Sequence, residues 1–331
     1  MINQDYRHRH AAHCETGALS SLLSHYGLEI SEPMALGLAS GLTFVHVSWL
    51  KVGGFPLTAY RMWPGAIIKR LQGVLGVKMA MHRYRTPEAG MADLDAKLEQ
   101  GKVVGLQSSI YWLPYFPPEM RFHFNAHNLV VYGKEGDEYL ISDPVFEHTV
   151  RCPAEALKKS RFTKGIFAPK GLLYYPEKVP QTYPFEKVLR RAMRKTAYQM
   201  LMTPLPFVGV SGIRLMAKQI RGQAKNPDPR YARLFLGNIV RMQEEIGTGG
   251  AGFRFMYASF LQEAADRTGS ELLQEASQAM TAVGDEWRDF ALHSANFVRK
   301  KPTRALPEIA ERLEHIAAHE GDVYRKLLKY R

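Results

Sequence analysis

Hydrophobic and polar positions are spaced differently in the two halves of this chain. In the first half Cys14, Ala18, Leu19, Leu22, Leu23 and Tyr26 recur at helical spacing and stop at Gly27, which predicts a helix over 14–26. Ser31-Glu32-Pro33 predicts a second, short helix, capped by Ser31 and carrying Pro33 in its first turn. Thr86-Pro87 opens a third, which runs to Gln100 and is closed by Gly101. Lys78–Arg83, Lys102–Ser109, Ala126–Gly133 and Glu138–Ser142 are short runs rich in Val, Leu, Ile and Tyr, and predict strands. Helices first and strands later is an α+β order rather than a βαβ alternation.

Past Pro176, Pro180 and Pro184 the strand pattern ends. Phe185–Met202, Leu205–Gly222, Pro229–Ile246, Gly252–Thr268, Ser270–Lys300 and Arg304–Lys329 all read as amphipathic helices, punctuated by Pro204, Pro227, Pro302 and Gly247-Thr248-Gly249-Gly250. The expected organisation is an α+β domain over 1–180 followed by an all-α domain over 181–331.

Composition narrows the class. A chain of 331 residues that is 46% hydrophobic has the apolar content for one large core or two smaller ones, which excludes long-range disorder. The two cysteines, Cys14 and Cys152, form no Cys-x-x-Cys pair and no disulfide framework, so a cytoplasmic setting is expected. The polar opening Met1–Arg7 lacks the apolar run of a secretory signal, and the most membrane-like stretch, Leu201–Met216, is interrupted by Pro204, Pro206 and Arg214. A formal net charge of +12 favours an anionic partner: nucleic acid, a membrane surface or an acidic protein. No phosphate-binding loop, dinucleotide fingerprint, His-Glu-x-x-His or nucleic-acid-binding motif occurs. No cofactor, no nucleic acid and no transmembrane segment are therefore expected, while a peripheral membrane contact is compatible with the charge.

Cys14 opens the first predicted helix, where unpaired N–H groups and the helix dipole favour a thiolate. A cysteine nucleophile also needs a histidine to exchange protons and a third group to hold the imidazole. The run from Ala126 to Asp143 reads as a hairpin. With a three-residue loop 134–136 it opposes 133 to 137, and hence His127 to Asp143, about 4.5–5.5 Å apart on one sheet face; a two-residue loop at Gly136-Asp137 would change that register. Cys14, His127 and Asp143 are the candidate nucleophile, base and orienter. His8, His10, His13 and Cys14 also cluster, but no matching pair completes a zinc site, so no metal is expected. Cys152 has no neighbouring base and reads as packing.

The stretch His13-Cys14-Glu15-Thr16-Gly17-Ala18-Leu19, then Gly27 and Ser31-Glu32-Pro33-Met34-Ala35-Leu36-Gly37-Leu38-Ala39-Ser40-Gly41, resembles the butirosin biosynthesis protein H family. The resemblance continues at His127 and Asp143-Pro144 and returns at Gly249-Gly250-Ala251-Gly252-Phe253-Arg254-Phe255-Met256-Tyr257. It implies a papain-like domain carrying Cys on a helix and His and Asp on an antiparallel sheet, followed by the family's helical domain. It also implies transfer of an acyl group from an acyl carrier protein thioester through Cys14 onto an amine, with the acyl group arriving on the carrier's phosphopantetheine. On these motifs Glu32, Arg254 and Tyr257 are candidate substrate-binding residues, Arg254 facing the cleft. One departure stands out: papain-like enzymes place an oxyanion-stabilising Gln shortly before the cysteine, and here His8 stands six residues upstream. The Cys14 N–H supplies one donor; the second is open. The competing readings are a cysteine hydrolase, peptidase or thioesterase, using the same triad, and a non-catalytic protein that binds acyl carriers or lipids.

Overall fold

The computed structural model describes residues 1–225, 228–300 and 305–330. Pro227, Pro302 and the expected helix start at Arg304 lie outside them. The chain divides into two compact units: Met1–Ala35 with Pro64–Tyr183, and Leu36–Trp63 with Pro184–Arg331. A single boundary near 180 therefore does not describe the path. Segment 36–63 leaves the first unit and joins the second.

The first unit is α+β. Helix α1 (Cys14–His25) ends as Gly27 turns left-handed at φ +96°. Helix α2 (Glu32–Leu38) starts where Ser31 Oγ accepts the Met34 N–H at 3.1 Å. The hairpin β1 (Leu42–Val52) and β2 (Phe55–Arg61) follows, then helix α3 (Ala66–Leu75) and strand β3 (Lys78–His82). Helix α4 (Pro87–Glu99) is capped by Thr86, whose Oγ1 accepts from Ala89 N–H. Next come β4 (Val104–Ser108), β5 (His127–Glu135), β6 (Glu138–Ser142), β7 (Val150–Pro153), helix α5 (Ala154–Arg161) and β8 (Leu173–Lys178).

The six strands of the first unit form one antiparallel sheet in the order β3-β8-β4-β5-β6-β7. Leu106, Leu129, Val131, Ile141 and Leu173 pack one face with Leu94 and Leu98 of α4 and Leu157 of α5. Gly105 lies between Val104 and Leu106 and so points the other way. A β-carbon there would sit 2.8 Å from Leu22 of α1 and 2.3 Å from the Tyr174 ring, so glycine lets α1 approach the sheet closely.

In the second unit α6 (Phe185–Leu201), α7 (Gly209–Gly222), α8 (Pro229–Val240), α9 (Arg254–Thr268), α10 (Glu271–Lys300) and α11 (Leu306–Leu327) pack with the β1–β2 hairpin. A π-helical turn, Arg241–Glu245, continues α8. Region 184–331 is thus helical as expected, but the unit it builds is not all-α, since the hairpin belongs to it. The turn Gly53-Gly54 has φ +59° and +88°, the left-handed conformation a two-residue hairpin loop requires, and pairs Val52 with Phe55.

Candidate active site

The β5–β6 turn takes the two-residue form. Glu135 pairs with Glu138 and Lys134 with Tyr139, so the three-residue register is not the one adopted. Continued unbroken, this pairing would put His127 and Asp143 on opposite faces. A bulge between Val131 and Gly133 removes one residue of offset, and beyond it Val131 pairs with Ile141 and Val130 with Ser142. Parity is restored: Asp143, just past β6, falls level with Leu129 and diagonal to His127 on the same face. The segment Met1–Asn3 lies against that bulge, with Asn3 N–H donating to Tyr132 O and Lys134 N–H to Met1 O.

His127 Nε2 and Asp143 Oδ2 are 2.7 Å apart, with both side chains buried. The Cys14 thiol acts on the same imidazole. Burial disfavours the imidazolium, but the Asp143 charge and hydrogen bond, with Cys14 beside it, outweigh that and push His127 up to about 10. Asp143 is itself held from three directions. It receives His127, the Tyr115 hydroxyl at 2.8 Å on Oδ2, and the Val145 N–H at 3.3 Å on Oδ1. The Tyr115 phenol, buried against a carboxylate, is raised well above its usual value, so it stays a proton donor. Phe116 meets the His127 ring edge-on at 5.4 Å and Phe146 at 4.9 Å.

Cys14 is the first residue of α1 and 7% exposed. Its N–H is among the donors that no helical carbonyl can reach. Three contacts fix the turn that presents it. Glu32 accepts Ala12 N–H (2.9 Å), His13 N–H (2.8 Å) and the Thr16 hydroxyl (2.9 Å). Ala11 N–H donates to Pro144 O at 2.7 Å. Gly17 lets α1 seat against the Asp143-Pro144 turn, where a β-carbon would fall 2.7 Å from Pro144 Cβ and 2.6 Å from Ala11 Cβ. Glu15 is buried and accepts the Ile67 and Ile68 N–H groups at the start of α3.

His8, standing where a papain-like enzyme has its Gln, turns both ring nitrogens to the Asp143 strand. Nε2 donates to Phe146 O at 3.0 Å and Nδ1 meets Ser142 Oγ at 2.7 Å. It braces the carboxylate's neighbours and is committed away from an oxyanion. Cys152 is packed beneath the sheet opposite Tyr139, with its thiol pushed up to about 12 by burial.

Of the three substrate-binding candidates, Glu32 lies beside Cys14, and Arg254 and Tyr257 lie in the second unit. Glu32 is a strut for the Cys14 turn, with both oxygens engaged; burial raises its carboxyl, partly offset by those three donors. Arg254 is completely buried in the helical unit rather than facing a cleft. It donates to Glu320 Oε1 through Nε (3.1 Å) and Nη2 (2.8 Å) and to Gly252 O through Nη1 (2.7 Å), with the Trp287 ring 5.0 Å away. Tyr257 is equally buried, its ring tilted against Phe260. An acidic residue or an anionic substrate group was the expected partner; it is the residue, Glu320 on α11, and the pair is buried together. Tyr115 and Gly17 went unread as site residues. The aromatic, Pro-rich run Leu113-Pro114-Tyr115-Phe116-Pro117-Pro118 was the available signal for Tyr115. Among the described residues, no three His, Cys, Asp or Glu side chains gather to hold a metal.

A cysteine at a helix start, a strand-borne histidine and a carboxylate beyond the next strand are the three groups that a cysteine nucleophile, its base and an orienter require. The chain belongs to the butirosin biosynthesis protein H-like family: the family described as "Butirosin biosynthesis protein H, N-terminal" matches residues 13–144, and that described as "Domain of unknown function (DUF4872)" matches 155–327. Among solved structures, it is similar to a crystal structure described as a C39-like peptidase from Bacillus anthracis. The TM-score is 0.37 and the identity 14%, over 54% of this chain and 98% of that one. No curated protein matches the chain.

Proposed function

We propose that the chain is a cysteine acyltransferase that takes an acyl group from a carrier-protein thioester and passes it to an amine. The observation that carries this is His127, buried between Asp143 at 2.7 Å and the Cys14 thiol. With the proton resting on His127, Cys14 reacts as the thiolate. Its sulfur attacks the thioester carbonyl, the bond to the carrier sulfur breaks, and His127 gives its proton to the departing thiolate. Neutral His127 then takes a proton from the attacking amine, the amide forms, and Cys14 leaves as thiolate. Exchange between thioesters is nearly isoenergetic, so the protein's task is positioning and keeping water out. Burial of all three side chains supports that task, and the family's place in biosynthesis supports transfer over degradation. An acidic carrier suits a chain of net charge +12. No cofactor beyond the carrier's own prosthetic arm enters the scheme.

The test is intact-mass analysis after incubation with an acyl carrier, with and without amines. The expected result is a mass increase of one acyl group that is absent in Cys14→Ala, retained in Cys152→Ala, and discharged as amide when an amine is added. Discharge to free acid at the same rate with or without amine would make the protein a hydrolase. No acylation at all would make it a binding protein.

A further inference from the structure

We infer that the second unit carries a docking surface for an anionic lipid bilayer, built from the β1–β2 tip and the exposed side of α6 and its following loop. The inference is independent of the acyl-transfer reading. Consecutive residues of a strand point to opposite faces, so a strand packed on a fold exposes only alternate side chains. From Trp49 to Val52 every residue of β1 is exposed, with Trp49 at 68%, Leu50 at 49% and Val52 at 53%. The pairing with β2 slips between Val47 and Lys51, so these side chains stand out on a bulged tip that is apolar but for Lys51.

The neighbouring loop extends the apolar ridge. His46 N–H donates to Phe207 O at 2.8 Å, Val45 bridges Val208, and the Trp49 ring meets Phe207 edge-on at 5.2 Å. This brings residues 202–208 beside the hairpin, and there Met202 and Leu205 are exposed, as is Tyr198 one turn back on α6. Further back along α6 the exposed stripe becomes basic: Lys187, Arg191 and Arg194, with Lys195 beside them. Arg214 and Lys218 follow on the exposed side of α7.

Charge complementarity then selects the occupant. No Asp or Glu occurs from Lys187 to Lys225, nor anywhere in the hairpin segment 36–63. An apolar, Trp-tipped projection flanked by basic helix faces, acid-free past Glu186 in the first turn of α6, is the chemistry that inserts at the headgroup level of an anionic membrane. No helix of the described residues is long and apolar enough to cross one, so the contact is peripheral.

The full chain should co-sediment with vesicles of phosphatidylglycerol and phosphatidylcholine, and far less with phosphatidylcholine alone. Trp49→Ser/Leu50→Ser should abolish sedimentation while leaving the thermal melt unchanged. Arg191→Gln/Arg194→Gln should weaken it at least ~tenfold, since each basic residue at such a surface contributes about a fivefold gain in affinity. Brominated phospholipid should quench part of the tryptophan fluorescence in the wild type, and that part should vanish in Trp49→Phe. The inference is overturned by absence of binding to the anionic vesicles, or by binding that ignores the Trp49/Leu50 change and so is mere charge adsorption. It is also overturned if the tip variant binds vesicles normally yet loses acylation by the carrier, since the tip would then be a protein-docking surface.

Discussion

His127 is where the electrostatics of the site can be read in solution. Its protonated form is favoured in the folded state up to about pH 10, against an ordinary value near 6.5. A raised histidine stabilises the fold fully below its unfolded value and loses that contribution as pH climbs through the folded one. Thermal stability should therefore decline between about pH 6.5 and 10. The decline should be shallower in Asp143→Asn, which removes the charge that holds the proton, and melting curves of the two proteins across that range decide it. Asp143→Asn should also slow acylation of Cys14 by ~100-fold or more, because the imidazole loses its orienting carboxylate. The residue types of the triad were legible from their spacing; their supports were not. Tyr115 reaches Asp143 from a loop 28 positions away in the chain, and no local pattern encodes such a contact.

At the scale of elements, two glycines make opposite predictions. Gly17 sits where a β-carbon would strike Ala11 and Pro144, so Gly17→Ala forces α1 away from the Asp143-Pro144 turn. A loss of ~1–3 kcal/mol is expected, with slower acylation of Cys14. Gly73 lies exposed in α3 with nothing within 4 Å, so Gly73→Ala should gain about 0.5–1 kcal/mol through helix propensity alone. Denaturant melts of both variants, with equal or reversed signs, would break the argument. Elements with local punctuation were readable from sequence: Thr86-Pro87 and Gly101 bound α4, and Gly27 follows the end of α1. The β5–β6 register was misread because a tight turn and a bulge at Tyr132 each shift it and partly cancel, leaving only the shared face in common. The β1–β2 hairpin was passed over although Gly53-Gly54 between two β-rich runs marks it. The docking of β8 between β3 and β4 had no comparable mark, since pairing across so long a separation leaves no local trace.

At the scale of the whole molecule, Arg254 and Glu320 hold α9 and α11 together inside the second unit, where Trp287 Nε1 and the Tyr324 hydroxyl also donate to Glu320. Removing one member strands a buried charge, so Arg254→Met should cost ~3–5 kcal/mol, and Arg254→Met/Glu320→Gln should recover part of that loss. A double variant as unstable as the sum of the two singles, measured by denaturant unfolding, would mean the two charges do not act as a pair. The same unit depends on a hairpin that the chain makes long before it makes the helices. During synthesis β2 is complete at Arg61, but α11 closes only at Leu327. At ~5–20 residues per second the packed part of the hairpin waits on the order of 10–50 s for its cover, and an isolated two-stranded ribbon is at best marginal in water. The first unit can assemble around the emerging loop in that interval. A sticky, acid-free ribbon is thus left on the nascent chain until the last helix arrives.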